Sequence, residues 1–303
     1  MKWENRGQSK NVTDNRGRGP SGGGSLAGMG SLGIGGILIV VVIGLIFGIN
    51  PLQLISIVTG GGGTITQSPT QTQQQPQAAP QQPASDQERI NFVSAILDDN
   101  QGMWTQIFQE NDVTYQDARL NIEDGVVESQ CGMVPEQAGP FYCPLDSTIY
   151  LNFNFFNQLQ DRFGASGDFA EAYVIAHEMG HHVQNLLGTA DDVRQQQQAN
   201  PNAANRLSVA LELQADCYAG IWGGQQTGAS QGQGDAVYNI TQEDFNEAMN
   251  AAAAIGDDNI QQQTQGRVDP ESFTHGSSEQ RQQWFGRGFE SGDPSQCDTF
   301  AQS

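Results

Sequence analysis

The chain has 303 residues, enough for two average domains, and a formal net charge of −21 from 34 acidic and 13 basic side chains. That balance excludes nucleic acid as a partner, because phosphate contacts need clustered Lys and Arg. With four histidines and four cysteines in all, metal and disulfide chemistry is confined to few positions.

Residues 1–30 are basic and rich in Gly, Ser and Asn, and read as a short cytoplasmic tail. The run LGIGGILIVVVIGLIFGI, residues 32–49, is uncharged, and PLQLISIV extends it to Val58. Its length reaches the minimum of about 17–20 residues for a helix that crosses a bilayer, so residues 31–58 read as a transmembrane signal anchor. A cleaved signal peptide is the rival reading. Against it stand the long basic segment ahead and the lack of an A-x-A-like site. Lys2, Arg6, Lys10, Arg16 and Arg18 precede the run, and no Lys or Arg follows until Arg89. The positive-inside rule then keeps the N-terminus cytoplasmic and the rest extracytoplasmic, as in a single-pass cell-membrane protein. Residues 59–87 are a polar Gly/Gln/Pro tract without the apolar side chains to offset ordering entropy, and read as a disordered linker. Residues 88–303 remain for one well-buried core.

Cys131, Cys143, Cys217 and Cys297 all lie in this last part. In an oxidising compartment four cysteines most simply form two bridges, with three possible connectivities. Cys131–Cys143 closes a short local loop and is the favoured pair, leaving Cys217–Cys297. A Cys zinc site is the alternative, although the sequence has no C-x-x-C.

The stretch FYCPLDSTIYLNFNFF, residues 141–156, reads as a short β-hairpin followed by an amphipathic helix. Thr148–Phe153 is a candidate edge for pairing with extended substrate backbone, or equally a core strand. Asp168–Leu187 reads as a helix. Asp168 and Glu171 have capping-box spacing, Gly188 suits the position after the last turn, and Phe169, Tyr173, Ala176, Gly180, Val183 and Leu187 make an apolar stripe.

Three of the four histidines fall on this helix, in YVIAHEMGHHVQ. His177 and His181 are four apart and rise from one face, one turn above the other. With Glu178 between them they form H-E-x-x-H, in which two neutral imidazoles bind Zn²⁺ and the glutamate acts as general base. His182 points about 100° away from His181 and reads as a packed or hydrogen-bonded histidine beside the site.

A catalytic zinc keeps three protein ligands and one open position. RLSVALELQADCYAGIWGG, residues 206–224, reads as a second helix ending at glycines, with Glu212 and Asp216 four apart in a largely apolar segment. Burying two carboxylates is costly without a cation. Glu212 is therefore the expected third ligand, and Asp216 the acceptor for the free ring N–H of His177. An exposed acidic pair is the alternative. Gly256-Asp257-Asp258 reads as a helix end and turn rather than an ion site. The fourth histidine, His275, lies in a Thr-His-Gly-Ser-Ser loop before a helix that starts at Ser278. An N–H from His275, or Arg281, would stabilise a developing oxyanion, unless His275 is a surface histidine without a role.

With these residues placed, the chain resembles the putative neutral zinc metallopeptidase family of single-pass bacterial membrane proteins. The likeness runs through KWENRGQSKNVTDNRG, QCGMVPEQAGPFYCPLD, AYVIAHEMGHHVQNLLG, LELQADCYAG, SFTHGSSEQRQQWFGRGF and CDTF. It implies a zincin-like α+β fold, mainly helical with a small β-sheet, preceded by one transmembrane helix, and a single zinc ion. Glu212 with Asp216 resembles the gluzincin pattern, in which the Glu binds metal and the Asp supports a ligand His. His275 with Arg281 is similar to a His–Arg element of membrane-embedded zinc peptidases, with Gly276 where that group tends to carry Pro.

The expected function is zinc-dependent hydrolysis of a peptide or protein substrate, catalysed by Glu178 and His275 and tied to the bilayer through residues 31–58. The alternatives are a catalytically idle zinc-binding interaction module at the cell envelope and a structural domain held by disulfides.

Overall fold

The structure is a computed structural model that describes Met1, Trp3 and residues 7–17, 86–136, 139–227, 238 and 240–302. The expected membrane segment, 31–58, lies outside the described residues, as does the linker up to Ser85. Among the described residues no helix is long and apolar enough to cross a membrane.

The architecture is α+β, mainly helical with a small sheet. In chain order the elements are β1 (Val12–Asp14), α1 (Asp86–Glu110), β2 (Arg119–Ile122), β3 (Val127–Ser129), β4 (Gly132–Val134), β5 (Phe141–Cys143) and β6 (Thr148–Leu151). There follow α2 (Phe153–Phe163), α3 (Asp168–Leu186), α4 (Thr189–Ala199), α5 (Ala204–Gln225), α6 (Gln242–Ala254), α7 (Asp257–Gln265) and α8 (Ser278–Ser291).

The sheet runs β1-β2-β6-β5, with β1, β2 and β6 parallel and β5 antiparallel to β6. β3 and β4 form a separate ribbon, tied to β5 by the Cys131–Cys143 disulfide. The hairpin and following helix expected over 141–156 are present, but Thr148–Phe153 is no edge. All four residues of β6 are buried and both its sides are paired, while Asn152 caps α2 through a 2.8 Å bond to the Asn154 N–H. The core-strand alternative holds, and the edge on that side of the sheet is β5.

Residues 7–17 are not a separate tail. Val12–Asp14 pairs in register with Leu120–Ile122, Val12 is buried, and Trp3 meets Phe92 edge to face. The amino group of Met1 bonds Asp168 at 2.8 Å and Asp244 at 2.6 Å. Asp168 is consequently not the cap of α3. Gly167 holds that place with φ +116°, and Asp168 is the first helical residue. The capping boxes that do form are Thr241–Asp244 on α6 and Ser277–Gln280 on α8.

α3 is the central helix. It is buried on most of its circumference, against α1, α5, α6 and the sheet, and is thus more enclosed than the expected stripe. Leu187, assigned to that stripe, falls past the last turn and is exposed, while Gly188 takes the left-handed conformation expected after a helix end. α5 runs through Gly220, Gly223 and Gly224 instead of ending at them. Its partner is α8, and Cys217–Cys297, a bridge across a separation of 80 residues, ties α5 to the C-terminal segment that follows α8. Both disulfides have the expected pairing.

A candidate metal centre between two helices

The centre lies where α3 crosses α5. Their backbones approach closely at Gly180, where a Cβ would stand 2.9 Å from the Ala215 Cα, so only glycine fits. This contact sets the histidine face of α3 beside the carboxylate face of α5. His177 and His181 meet edge to face with ring centroids 4.8 Å apart. Glu212 lies across from both, its Oε2 3.1 Å from His177 Nε2 and its Oε1 3.4 Å from His181 Nε2. One ligand atom from each of the three lies within 4.8 Å of the others.

The surrounding hydrogen bonds leave both Nε2 atoms for a cation. Asp216 Oδ1 is 2.8 Å from His177 Nδ1, the relationship expected of it. For His181 the partner is Gln184, whose Oε1 is 2.9 Å from Nδ1. Two backbone carbonyls fix the direction of this contact. Gln214 donates to the Cys297 carbonyl at 3.0 Å, so its Oε1 accepts from Gln184, which also donates to the Leu211 carbonyl at 2.7 Å. With both amide hydrogens engaged, Gln184 offers only an acceptor to His181. Nδ1 therefore carries the proton and Nε2 the lone pair, the tautomer a metal requires.

Asp216 is fully buried and takes four bonds: from His177, from the Tyr173 hydroxyl at 2.6 Å, and from Arg281 Nε and Nη2 at 2.8 and 2.9 Å. Burial would raise its pKa, but Arg281 and His177 outweigh that and hold it at about 2. Arg281 is thereby placed elsewhere than expected. It is buried on the Nδ1 side of His177, with Nη1 on the Ile255 carbonyl at 3.2 Å, and is no donor to an oxyanion on the Nε2 side.

With protein neighbours alone, burial lowers the His177 pKa, but the charge and hydrogen bond of Asp216 and the bond to Glu212 lift it to about 10. His181 is likewise raised, burial being outweighed by Glu212. Glu212 is held well below the carboxylate range, because the charges of His181 and His275 overcome its desolvation. A carboxylate set between two imidazole nitrogens that attract positive charge is a site in which a divalent cation can stand in place of protons. Two imidazole nitrogens, one carboxylate and outer partners on both rings fit zinc.

Glu178 is buried one residue along from His177, and desolvation raises its pKa against the opposing charges of His181 and His177. The Tyr142 backbone N–H on β5 donates to it. His182 is fully buried and outside the trio, with Nδ1 2.9 Å from the Tyr142 hydroxyl and Nε2 2.7 Å from the Gln116 carbonyl. Burial lowers its pKa. It braces the strand that touches Glu178.

His275 is brought to the same region. Asp257 Oδ2 accepts the backbone N–H groups of Thr274, His275 and Gly276 at 2.7, 2.7 and 3.1 Å, and Oδ1 lies 3.2 Å from His275 Nδ1. The His275 pKa is raised, since Glu212 and Asp257 outweigh its burial. Gly276 has φ +95°, a conformation that proline, fixed near −65°, cannot take. Sequence reasoning read Asp257 as part of a helix end and turn, where it is the first residue of α7, and missed the roles of Gln184, Gln214, Tyr173 and Tyr142. Only Gln184 carried a signal, standing three residues after His181 on the same face.

Two imidazoles one turn apart, a glutamate from a neighbouring helix and a buried acid between the imidazoles define a candidate zinc-hydrolase centre. The chain belongs to the putative neutral zinc metallopeptidase family, whose sequence model matches residues 1–300. Among its relatives is the uncharacterized protein YpfJ of Escherichia coli K12, 45% identical over 309 residues and 100% of both chains. Another is the uncharacterized protein Rv2575 of Mycobacterium tuberculosis H37Rv, 48% identical over 190 residues, 62% of this chain and 64% of that one. No solved structure matches.

Proposed function

We propose that the protein is a zinc-dependent peptidase with a zincin-like arrangement, working at the cell envelope on a peptide or protein substrate. The observation that carries this reading is Glu178, a buried carboxyl with raised pKa beside the His177–His181–Glu212 trio. A purely structural zinc site closes its fourth position and has no use for such a base.

His177, His181 and Glu212 would hold the ion. Zinc bound there supplies Lewis acidity, polarising a scissile carbonyl and acidifying water. Glu178 takes the proton from the attacking water and passes it to the leaving amine. Its raised pKa brings it nearer the neutral range in which such a shuttle works best. Asp216 and Gln184 hold the two rings in the tautomer with Nε2 free. His275, with Nδ1 engaged by Asp257, offers Nε2 to the carbonyl oxygen. The β5 edge, through Tyr142, is the strand against which extended substrate backbone would lie.

Cleavage of a peptide library by the full-length protein, wild type against Glu178→Gln, tests this. The variant should keep its zinc and lose about 10²–10⁴-fold in turnover. Undiminished turnover would remove Glu178 from its role. Zinc binding without cleavage by the wild type would favour the idle interaction module.

A further inference from the structure

Glu178, His182 and Asn185 follow one another on α3 by four and then three residues, and so share one face of the helix. All three meet a single residue of β5, Tyr142. Its backbone N–H donates to Glu178, and its hydroxyl lies 2.9 Å from His182 Nδ1 and 3.0 Å from Asn185 Nδ2. His177, His181 and Gln184 have the same spacing one residue earlier. The helix thus carries two parallel rows, one facing the candidate ion site and one facing Tyr142.

The direction of each bond in the second row follows from its partners. The Gln116 carbonyl, 2.7 Å from His182 Nε2, can only accept, so Nε2 carries the ring proton. The neutral ring then offers Nδ1 as an acceptor, and the Tyr142 hydroxyl donates to it. The Asn185 amide donates in turn to the hydroxyl oxygen. The His182 ring is fully buried, with Tyr142 and Tyr115 packed edge-on to it at 5.4 and 5.7 Å between centroids. β5 needs such an anchor: it is three residues long and, among the described residues, pairs with β6 alone. The hydroxyl therefore helps to set where the Tyr142 N–H stands along α3.

We infer that, given the peptidase reading on which this rests, Tyr142, His182 and Asn185 position the base. They fix β5 against α3 so that the Tyr142 N–H holds one oxygen of Glu178 and leaves the other toward the His177–His181–Glu212 trio. A carboxylate held in this way loses rotational freedom before the water arrives, which is the preorganisation that proton transfer rewards. His182 is then a positioning residue that acts on Glu178 through Tyr142, and this gives the third histidine of the helix its task.

Tyr142→Phe in the full-length protein is the test, because it removes the hydroxyl and keeps the ring and the backbone N–H. Hydrogen exchange at the residue-142 amide, followed by NMR, should quicken about 10-fold. The kcat for the best-cleaved peptide of a library should fall about 10–100-fold, with KM and zinc affinity unchanged. Asn185→Leu removes one donor only and should move both readouts the same way by less; it carries the test if Tyr142→Phe does not fold. Unchanged amide exchange would overturn the inference. So would a lowered Tm with full kcat, the result of a network that only stabilises, or a raised KM with full kcat, which would assign Tyr142 to the substrate edge. The exchange readout needs no turnover. A wild type that cleaves nothing would sink the peptidase reading, while faster exchange in the variant would still support the hold on Glu178.

Discussion

His177 and Asp216 lie 2.8 Å apart in a pocket where Asp216 has no exposure to solvent, and Arg281 closes the same carboxylate from behind with bonds of 2.8 and 2.9 Å. The His177 ring therefore rests on a buried charge that itself needs a cation. Replacing Arg281 by Met removes two of the four bonds to that charge and its cationic partner, and should cost about 3–5 kcal/mol. Chemical denaturation measures it. A loss below about 1 kcal/mol would mean that Asp216 is neutral or finds another partner.

The Gln184 contact makes a separate prediction. Gln184→Leu removes the acceptor that holds the proton on His181 Nδ1. Zinc affinity, measured by competition with a chromophoric chelator, should fall about 10–100-fold while the circular dichroism spectrum is retained. Unchanged affinity would show that Gln184 only packs.

Cys217–Cys297 holds the far end of this chain of contacts, since Gln214 donates to the Cys297 carbonyl. The paired change Cys217→Ser with Cys297→Ser should destabilise the fold by about 2–5 kcal/mol. It should also weaken zinc binding at a temperature where the fold persists. Loss of stability with full zinc affinity would separate the bridge from the site.

Asp257 gives a pH signature. Burial would raise its carboxyl, but the hydrogen bond and charge of His275 and the backbone N–H groups hold it below 3.8. Its contribution is present above that value and is lost as the pH falls through the folded pKa. His275 is raised above 6.5, so its share is present below 6.5 and is lost as the pH rises through its folded value. Asp257→Ala should therefore lower Tm most between pH 3.8 and 6.5, by the equivalent of about 1–3 kcal/mol. A difference independent of pH would contradict the pairing.

The centre was legible where it rests on helical period. His177 with His181 and Glu212 with Asp216 are four-residue spacings, and His182 stands a known angle off that face. Carboxylates in an apolar helix demand partners, which is why Glu212 and Asp216 stood out. β1 was not legible, because a three-residue strand in a polar segment owes its existence to β2, over a hundred residues later. The interior position of β6 was hidden for the same reason. Arg281 was assigned to the wrong side of His177, since spacing along α8 does not say which nitrogen of a ring on α3 it approaches. Asp168 met the spacing of a capping box, but it lies inside the helix and bonds the Met1 amino group instead.

The central claim is that His177, His181 and Glu212 together hold one zinc ion, and zinc affinity of the full-length protein, wild type against Glu212→Ala, tests it most directly. The account predicts one tightly bound zinc per wild-type chain. In the variant the loss should exceed the roughly 10–100-fold expected of an outer hydrogen-bond partner such as Gln184. Equal affinity in the two proteins would contradict it.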